Sequence, residues 1–269
     1  MPRVPLSVTI ITLNEERNLP RALQSVQWAE EILVIDSGST DRTVELGQQL
    51  GARVISRPWP GYGKQKNFAQ QSAAYDWVLN IDADEFVTPE LAAEIQQVLE
   101  FVGTGHSQAK GFYFPRKTFY LGRWIKHGGW YPNHLVRLAD RRAASWTEPT
   151  VHETLVVKGD VFGLVGALEH DSFSGIREQI LTNLNFSRLG SEDLKNKGQR
   201  ASLFKLLWKP LGKFLETYVM KLGFMDGLPG LIISINAAHS MFLKYAYLIE
   251  AKLQERIPEK VQNAHLDRR

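Results

Sequence analysis

An open, mostly parallel α/β sheet, followed by a helical extension, is the fold class that three features of this 269-residue chain predict. Strand-length runs of β-branched residues alternate with helix-periodic segments as far as about residue 102. That alternation is the signature of successive βα units, whose strands are buried on both faces and read as continuous apolar runs. Polar and acidic clusters directly follow the apolar runs, where open α/β sheets bind ligands beyond the carboxyl ends of their strands. From about residue 174 the chain reads as helix almost to its end.

The elements follow in order. "LSVTIITL" (6–13) is a strand, and "NEERNLPRALQSV" follows with Leu19, Leu23 and Val26 at helical spacing. "EILVIDSGSTD" (31–41) is a second strand running into a Gly/Ser/Asp turn, with Thr40 and Asp41 as the expected cap of a helix through Leu50. "ARVISRP" (52–58) is a third strand, "YGKQKNFAQQSAA" a helix, and "DWVLNID" (76–82) a fourth strand. "TPELAAEIQQVLEFV" (88–102) is a helix with Thr88 as cap and Pro89 at its first position. Residues 111–138 are rich in aromatics, Gly and basic side chains, and residues 144–175 add short strands carrying Glu148, His152, Glu153 and His170. The expected organisation is one domain in two halves (1–110 and 111–175) and a helical extension (176–269).

Composition sets limits. Apolar content of 43% and charged content of 23% are ordinary for a globular protein. The net charge of +3 is mild, and the pI near 9.0 is compatible with an anionic partner. The chain has no cysteine, which excludes disulfides and thiolate metal sites and fits a reducing compartment. "MPRVPLSVTII" carries no signal-peptide pattern, so a cytoplasmic protein is expected. No GxGxxG follows the first strand and no GxxxxGK[ST] occurs, so neither a dinucleotide fingerprint nor a P-loop is present.

The acids Asp82 and Asp84 in "NIDADEF" leave the fourth strand one residue apart. A hard cation such as Mg²⁺ or Mn²⁺ takes oxygen ligands and keeps waters and substrate phosphates in its remaining positions. An Asp-x-Asp at a strand end can therefore grip a metal–diphosphate. Taken alone, the same pattern is more often an acidic turn that caps the next helix.

Four motifs occur in order at βα spacing: "SVTIITLNEERNL", "ILVIDSGSTDRT", "GYGKQKNFA" and "WVLNIDADE". Together they resemble family 2 glycosyltransferases, over about the first 100 residues. The resemblance implies a GT-A fold, a nucleotide-sugar donor, a divalent metal and inversion at the anomeric carbon. It places Thr12, Asn14 and Glu15 in the first nucleotide loop and Asp36 on the base or ribose. Ser37 stands where the family often has a second acid. Lys64, Lys66 and Asn67 match the segment lining ribose and diphosphate, with Lys64 favoured over Lys66 for function. Asp82 matches the first acid of the DxD motif, near the ribose, and Asp84 its metal ligand.

Inversion needs a base for the acceptor hydroxyl. The family places an acid beyond the DxD in that role, and in some members a later His completes the metal site. "VHE" and "LEHDS" match that arrangement, with Glu153 as base and His170 as metal ligand. Asp171 is the alternative beside the metal, Glu148 an acid of even standing, and His152 an ordinary loop or strand histidine.

"FPRKTFYLGRWIKHGGWYPNHLVRL" resembles the bacterial lipopolysaccharide inner-core branch of the family. There Arg116, Lys117, Arg123, Lys126, His127 and Arg137 are expected to meet acceptor phosphates and carboxylates, in place of nucleic acid. UDP-glucose is the expected donor and a lipid-anchored saccharide the expected acceptor. A polyprenyl-phosphate sugar transferase and a non-catalytic glycan- or lipid-binding scaffold are the alternatives. In the tail, Lys205, Lys209, Lys213 and Lys221 alternate with Leu, Phe and Trp, as in an amphipathic interfacial helix. The expected location is the inner face of the cytoplasmic membrane, bound peripherally. Asn236, His239 and Lys244 interrupt the apolar stretch 228–249 and argue against spanning. A soluble cap or a homodimer interface is the competing use of these helices.

Overall fold

The computed structural model describes residues 4–148, 153–199 and 202–254. His152 lies outside the described residues. The chain divides into two compact units, residues 4–124 with 130–172, and residues 125–129 with 173–254.

The first unit begins with β1 (Leu6–Thr12), α1 (Leu19–Ser25), β2 (Glu31–Asp36), α2 (Thr43–Gln49), β3 (Arg53–Ser56), α3 (Tyr62–Ser72) and β4 (Trp77–Asp82). These are the expected βα units. Every residue of β1 is buried, because β2 and β4 both pair with it in parallel and helices cover both faces. Alternate residues feed two cores. Leu6, Val8 and Ile10 pack with Leu19, Leu23, Leu91 and Ile95, whereas Ile11 joins Leu33, Ile35 and Ala69. Each of these Leu, Ile and Val side chains contributes roughly 1.5–3 kcal/mol of burial.

Then come β5 (Glu85–Val87), α4 (Pro89–Gly103), β6 (Ala109–Tyr120), β7 (Arg123–Ile125), β8 (Asn133–Asp140), β9 (Ala144–Trp146), β10 (Leu155–Val157), β11 (Asp160–Gly163) and β12 (Leu168–Asp171). As expected, Thr88 caps α4, its hydroxyl accepting the Leu91 N–H at 3.2 Å. The main sheet runs β3-β2-β1-β4-β8-β6-β12-β5, with β7 and β11 also paired to β6. β8 is antiparallel to both β4 and β6, so it welds the later strands onto the parallel half. β9 and β10 form a separate antiparallel pair.

Two local expectations shift. The helix expected from residue 14 begins at Leu19, because residues 14–18 form turns tied to the loop after β2. α2 starts at Thr43, because the Asn14 side chain accepts the Thr40 N–H at 2.8 Å, while Asp41 accepts that of Thr43 at 3.0 Å.

The second unit holds α5 (Ile176–Asn196), α6 (Leu203–Leu215) and α7 (Gly227–Gln254), the last two joined by short π and 3₁₀ turns. Polar residues lace α7 to α5: Asn236 donates to Gln179, and the Ser187 and Ser240 hydroxyls lie 2.8 Å apart. The segment 125–129 is bound into this unit. The Lys126 and His127 N–H groups donate to buried Asp226 at 3.1 and 2.7 Å, and Gly128 donates to the Lys221 carbonyl at 2.8 Å.

Candidate active site

The acids that end β4 are held by an alternating chain of charge. Lys66 on α3 lies 2.9 Å from Asp82 and 2.9 Å from Glu153. Arg137 on β8 donates to the other Asp82 oxygen at 2.9 Å and to Glu85 at 3.0 Å. Arg116 on β6 donates to the same Glu85 oxygen at 2.9 Å, while the second Glu85 oxygen accepts the Asp82 N–H at 2.9 Å. The order Glu153–Lys66–Asp82–Arg137–Glu85–Arg116 balances three anions against three cations. That balance explains how a buried strand can end in carboxylates, since an unpaired buried charge is prohibitively costly.

Burial pushes the Glu85 carboxyl up, but Arg137, and after it Arg116, outweigh burial and hold it below the usual range. Asp82 is likewise pushed up by burial and pulled further down by Lys66 and Arg137. Arg137 is shifted down by burial and up, by more, by Glu85 and Asp82. All three are therefore ionised at neutral pH. The Trp146 ring backs the cluster, 4.7 Å from the Lys66 ammonium and 5.6 Å from the Arg137 guanidinium.

Asp84 and His170 meet beside this chain. His170 sits on β12, in register with Glu85 of β5 and Thr118 of β6. Its Nε2 lies 3.2 Å from Asp84 Oδ2, and its Nδ1 lies 3.5 Å from the Thr118 hydroxyl. The Asp171 N–H donates to the Asp84 carbonyl at 3.0 Å. Among the described residues no group of three or more His, Cys, Asp or Glu is placed to hold a metal. The pair offers one carboxylate and one imidazole. That donor set fits a cation that completes its shell with water and diphosphate oxygens.

The loops after β1 and β2 are tied to each other by hydrogen bonds. Thr12 and Asp36 are partners in the β1–β2 register, and the buried Thr12 hydroxyl has no hydrogen-bond partner among the described residues. Asp36 folds onto its own turn, accepting the Gly38 and Ser39 N–H groups at 2.9 and 3.0 Å. Asn14 takes a left-handed backbone, φ 55°, and its N–H donates to Ser39 at 2.8 Å. Glu15 donates its N–H to the Thr43 hydroxyl at 2.8 Å and accepts from the Asn18 amide at 2.9 Å. Ser37, at the missing-acid position, accepts from Gln65 at 3.2 Å.

Lys66, not Lys64, reaches the acids. Helical spacing turns Gly63, Lys66 and Gln70 inward, and Lys64 is exposed. The Asn67 amide is engaged by the Trp146 backbone, accepting its N–H at 2.8 Å and donating to its carbonyl at 2.9 Å. It also donates to Glu148 at 3.1 Å. Arg116 and Arg137 each meet the acidic strand end through one guanidinium nitrogen. Lys117 pairs with Glu169 at 3.1 Å and lies over the Trp124 ring.

The supporting roles of Arg137 and Lys66 left traces in the sequence. Arg137 is a lone cation inside the apolar strand "LVRLA", which demands a buried partner. In α3, the inward positions carry Lys and Gln where a core-facing helix would carry Leu.

The sequence is similar to those of known glycosyltransferases. The family profile of glycosyl transferase family 2 matches residues 7–153. An uncharacterised glycosyltransferase of Rickettsia typhi is 35% identical over 264 residues, 93% of this chain and 89% of that protein. The lipopolysaccharide core biosynthesis glycosyltransferase LpsC of Rhizobium meliloti is 31% identical over 268 residues, 95% of this chain and 94% of LpsC. A solved glucosyl-3-phosphoglycerate synthase of Mycobacterium tuberculosis aligns over 74% of this chain and 80% of that one, with TM-score 0.46 and 19% identity.

Proposed function

The chain belongs to glycosyl transferase family 2, and from that membership we propose that it transfers a hexose, glucose from UDP-glucose, to a hydroxyl of a membrane-anchored saccharide with inversion. The observation that carries this reading is the juxtaposition of the Asp84–His170 pair with the Lys66–Glu153 pair around Asp82. Asp84 and His170 would hold Mg²⁺ or Mn²⁺, which supplies neutralisation of the charge that develops on the leaving diphosphate. Thr12 and Asp36 face the nucleoside at the ends of β1 and β2. Asp82, fixed by Lys66 and Arg137, orients the ribose side of the donor.

Glu153 takes the proton of the acceptor hydroxyl as that oxygen attacks the anomeric carbon opposite the diphosphate. Lys66, 2.9 Å away, fixes where the Glu153 carboxylate stands. A scaffold without catalytic function has no use for this arrangement. Asp84→Ala is expected to lower turnover by at least about 100-fold and to erase the difference between UDP-glucose binding with Mn²⁺ and with EDTA. Calorimetric titration of the variant checks this, and binding that stays metal-dependent would rule out Asp84 as a ligand.

Lipopolysaccharide core is the acceptor class that the LpsC relationship supports. The second unit supports contact with a lipid surface. No residue of α6 is buried; Leu207 and Trp208 are 67% and 56% exposed, and Lys205, Lys209 and Lys213 share the helix. Among the described residues no single helix is long and apolar enough to cross a membrane; α6 and α7 reach that measure only as a pair bent by 69°. An apolar stripe among lysines suits an anionic bilayer surface, which we place at the inner face of the cytoplasmic membrane. Replacing Leu207, Trp208 and Leu211 together by Ser is expected to reduce co-sedimentation with phosphatidylglycerol vesicles roughly tenfold or more. Undiminished co-sedimentation would remove α6 from the interface.

A further inference from the structure

We infer that Trp59 and Tyr62 form an aromatic stacking subsite for the pyranose ring of the acceptor saccharide, at the mouth of the site that holds Glu153. The inference rests on the glycosyltransferase reading and extends it to residues that the family motifs leave without a role.

The geometry starts from α3. Tyr62 is its first residue, and Lys66, which binds Asp82 and Glu153, lies four positions on. Residues four apart share one face of a helix, one turn above the other. The Tyr62 ring therefore stands one turn above the Lys66–Glu153 pair, toward the helix N-terminus. Its phenol feels the acids below. Burial first, then the negative charges of Glu153, Asp82 and Asp84, push it above its ordinary value, so the hydroxyl stays protonated. Close packing fixes the start of α3, since a side chain at Gly63 would meet the backbone of Thr147 and Glu148.

Trp59 completes the wall. Its ring centroid lies 4.7 Å from that of Tyr62, edge to face at 87°. Both rings remain open, Trp59 45% and Tyr62 47% exposed. A core pair would be covered; these two keep a face for something else. Their segment is also stiff. Trp59 sits between Pro58 and Pro60, and residues before proline are confined to extended backbone. Gly61 follows at φ 113°, a conformation that favours glycine. A platform already ordered loses little entropy on binding.

A pyranose fits such a platform. One face of the ring presents C–H groups, which pack on the electron-rich aromatic face, while its hydroxyls stay free for polar partners. The sugar that stacks here is the one whose hydroxyl must reach Glu153, which makes it the acceptor rather than the nucleoside.

The test uses the full-length protein, UDP, Mn²⁺ and a lipopolysaccharide core oligosaccharide freed of lipid, titrated calorimetrically. Tyr62→Ala and Trp59→Ala should each weaken oligosaccharide binding roughly tenfold or more, leave UDP affinity unchanged, and raise the acceptor KM far more than they lower kcat. Tyr62→Phe should bind within about twofold of the wild type, because the ring face and not the hydroxyl makes the contact. Both rings are half exposed, so these variants should fold. Unchanged oligosaccharide affinity in both alanine variants would overturn the inference, as would a loss that falls on UDP instead. A wild type that binds UDP but no saccharide would overturn it too. Saccharide binding that is lost in Tyr62→Ala, in a protein that binds no UDP, would support the stack and overturn the donor reading.

Discussion

Arg137→Met is expected to destabilise the protein by roughly 3–5 kcal/mol and to abolish transfer. The side chain is buried, 5% exposed. It divides one guanidinium nitrogen between Asp82 and Glu85, and Glu85 is 0% exposed. Methionine fills much of the volume but leaves two carboxylates sharing the remaining cations. Arg116 still holds Glu85 and Lys66 still holds Asp82, so the damage is a charge imbalance rather than a cavity.

The pH dependence distinguishes the two. In the wild type both carboxyls lie below their usual values, so they contribute stability above about pH 4 that is lost as pH falls through the lowered folded values. Without Arg137, burial is opposed less and the carboxyl values rise. A carboxyl raised above its unfolded value costs stability as pH rises. The variant should therefore lose more stability at about pH 8 than at about pH 5, read from urea midpoints. An equal loss at both would mean that Arg137 acts through packing alone.

Glu153→Gln is expected to cut transfer by about 10²–10⁴ while UDP-glucose affinity stays within about twofold. Glutamine keeps an oxygen for Lys66, so the local geometry survives, but it cannot accept the acceptor proton. Single-turnover transfer beside donor titration separates the outcomes. Collapse of donor affinity would place Glu153 in the donor site. Transfer at the wild-type rate would show that the nucleophile needs no base, as with a phosphate acceptor, and would favour the polyprenyl-phosphate reading.

The parallel half of the sheet was legible because its signals are local. Buried parallel strands are continuous apolar runs, and β1, β2 and β4 lie where those runs do. The cap at Thr88 was readable for the same reason. The candidate site was legible only in part. Asp82, Asp84, Glu153 and His170 were picked out from motif order, and the fold brings all four to one end of the sheet. That Arg137 and Lys66 need partners could be read from the sequence, but which acids they meet could not, because β8 reaches β4 by an antiparallel pairing between residues more than fifty apart. No local pattern says that Arg137 will face Asp82 rather than solvent. Lys64 and Lys66 show the complementary limit. Both are cations on one short helix, and only the direction in which α3 packs decides which is buried. Asn67 matched a ligand-lining segment, yet the edge of β9 takes up its amide.

The most direct test of the central claim is calorimetric titration of the wild-type protein with UDP-glucose, once with Mn²⁺ and once with EDTA, beside GDP-mannose as a control. A divalent-metal site at Asp84 and His170 in a UDP-sugar transferase predicts saturable binding of UDP-glucose with Mn²⁺, at least about tenfold weaker binding with EDTA, and little heat from GDP-mannose. Binding of UDP-glucose that is equal with Mn²⁺ and with EDTA would contradict the metal. No binding of UDP-glucose to the folded protein would contradict the donor.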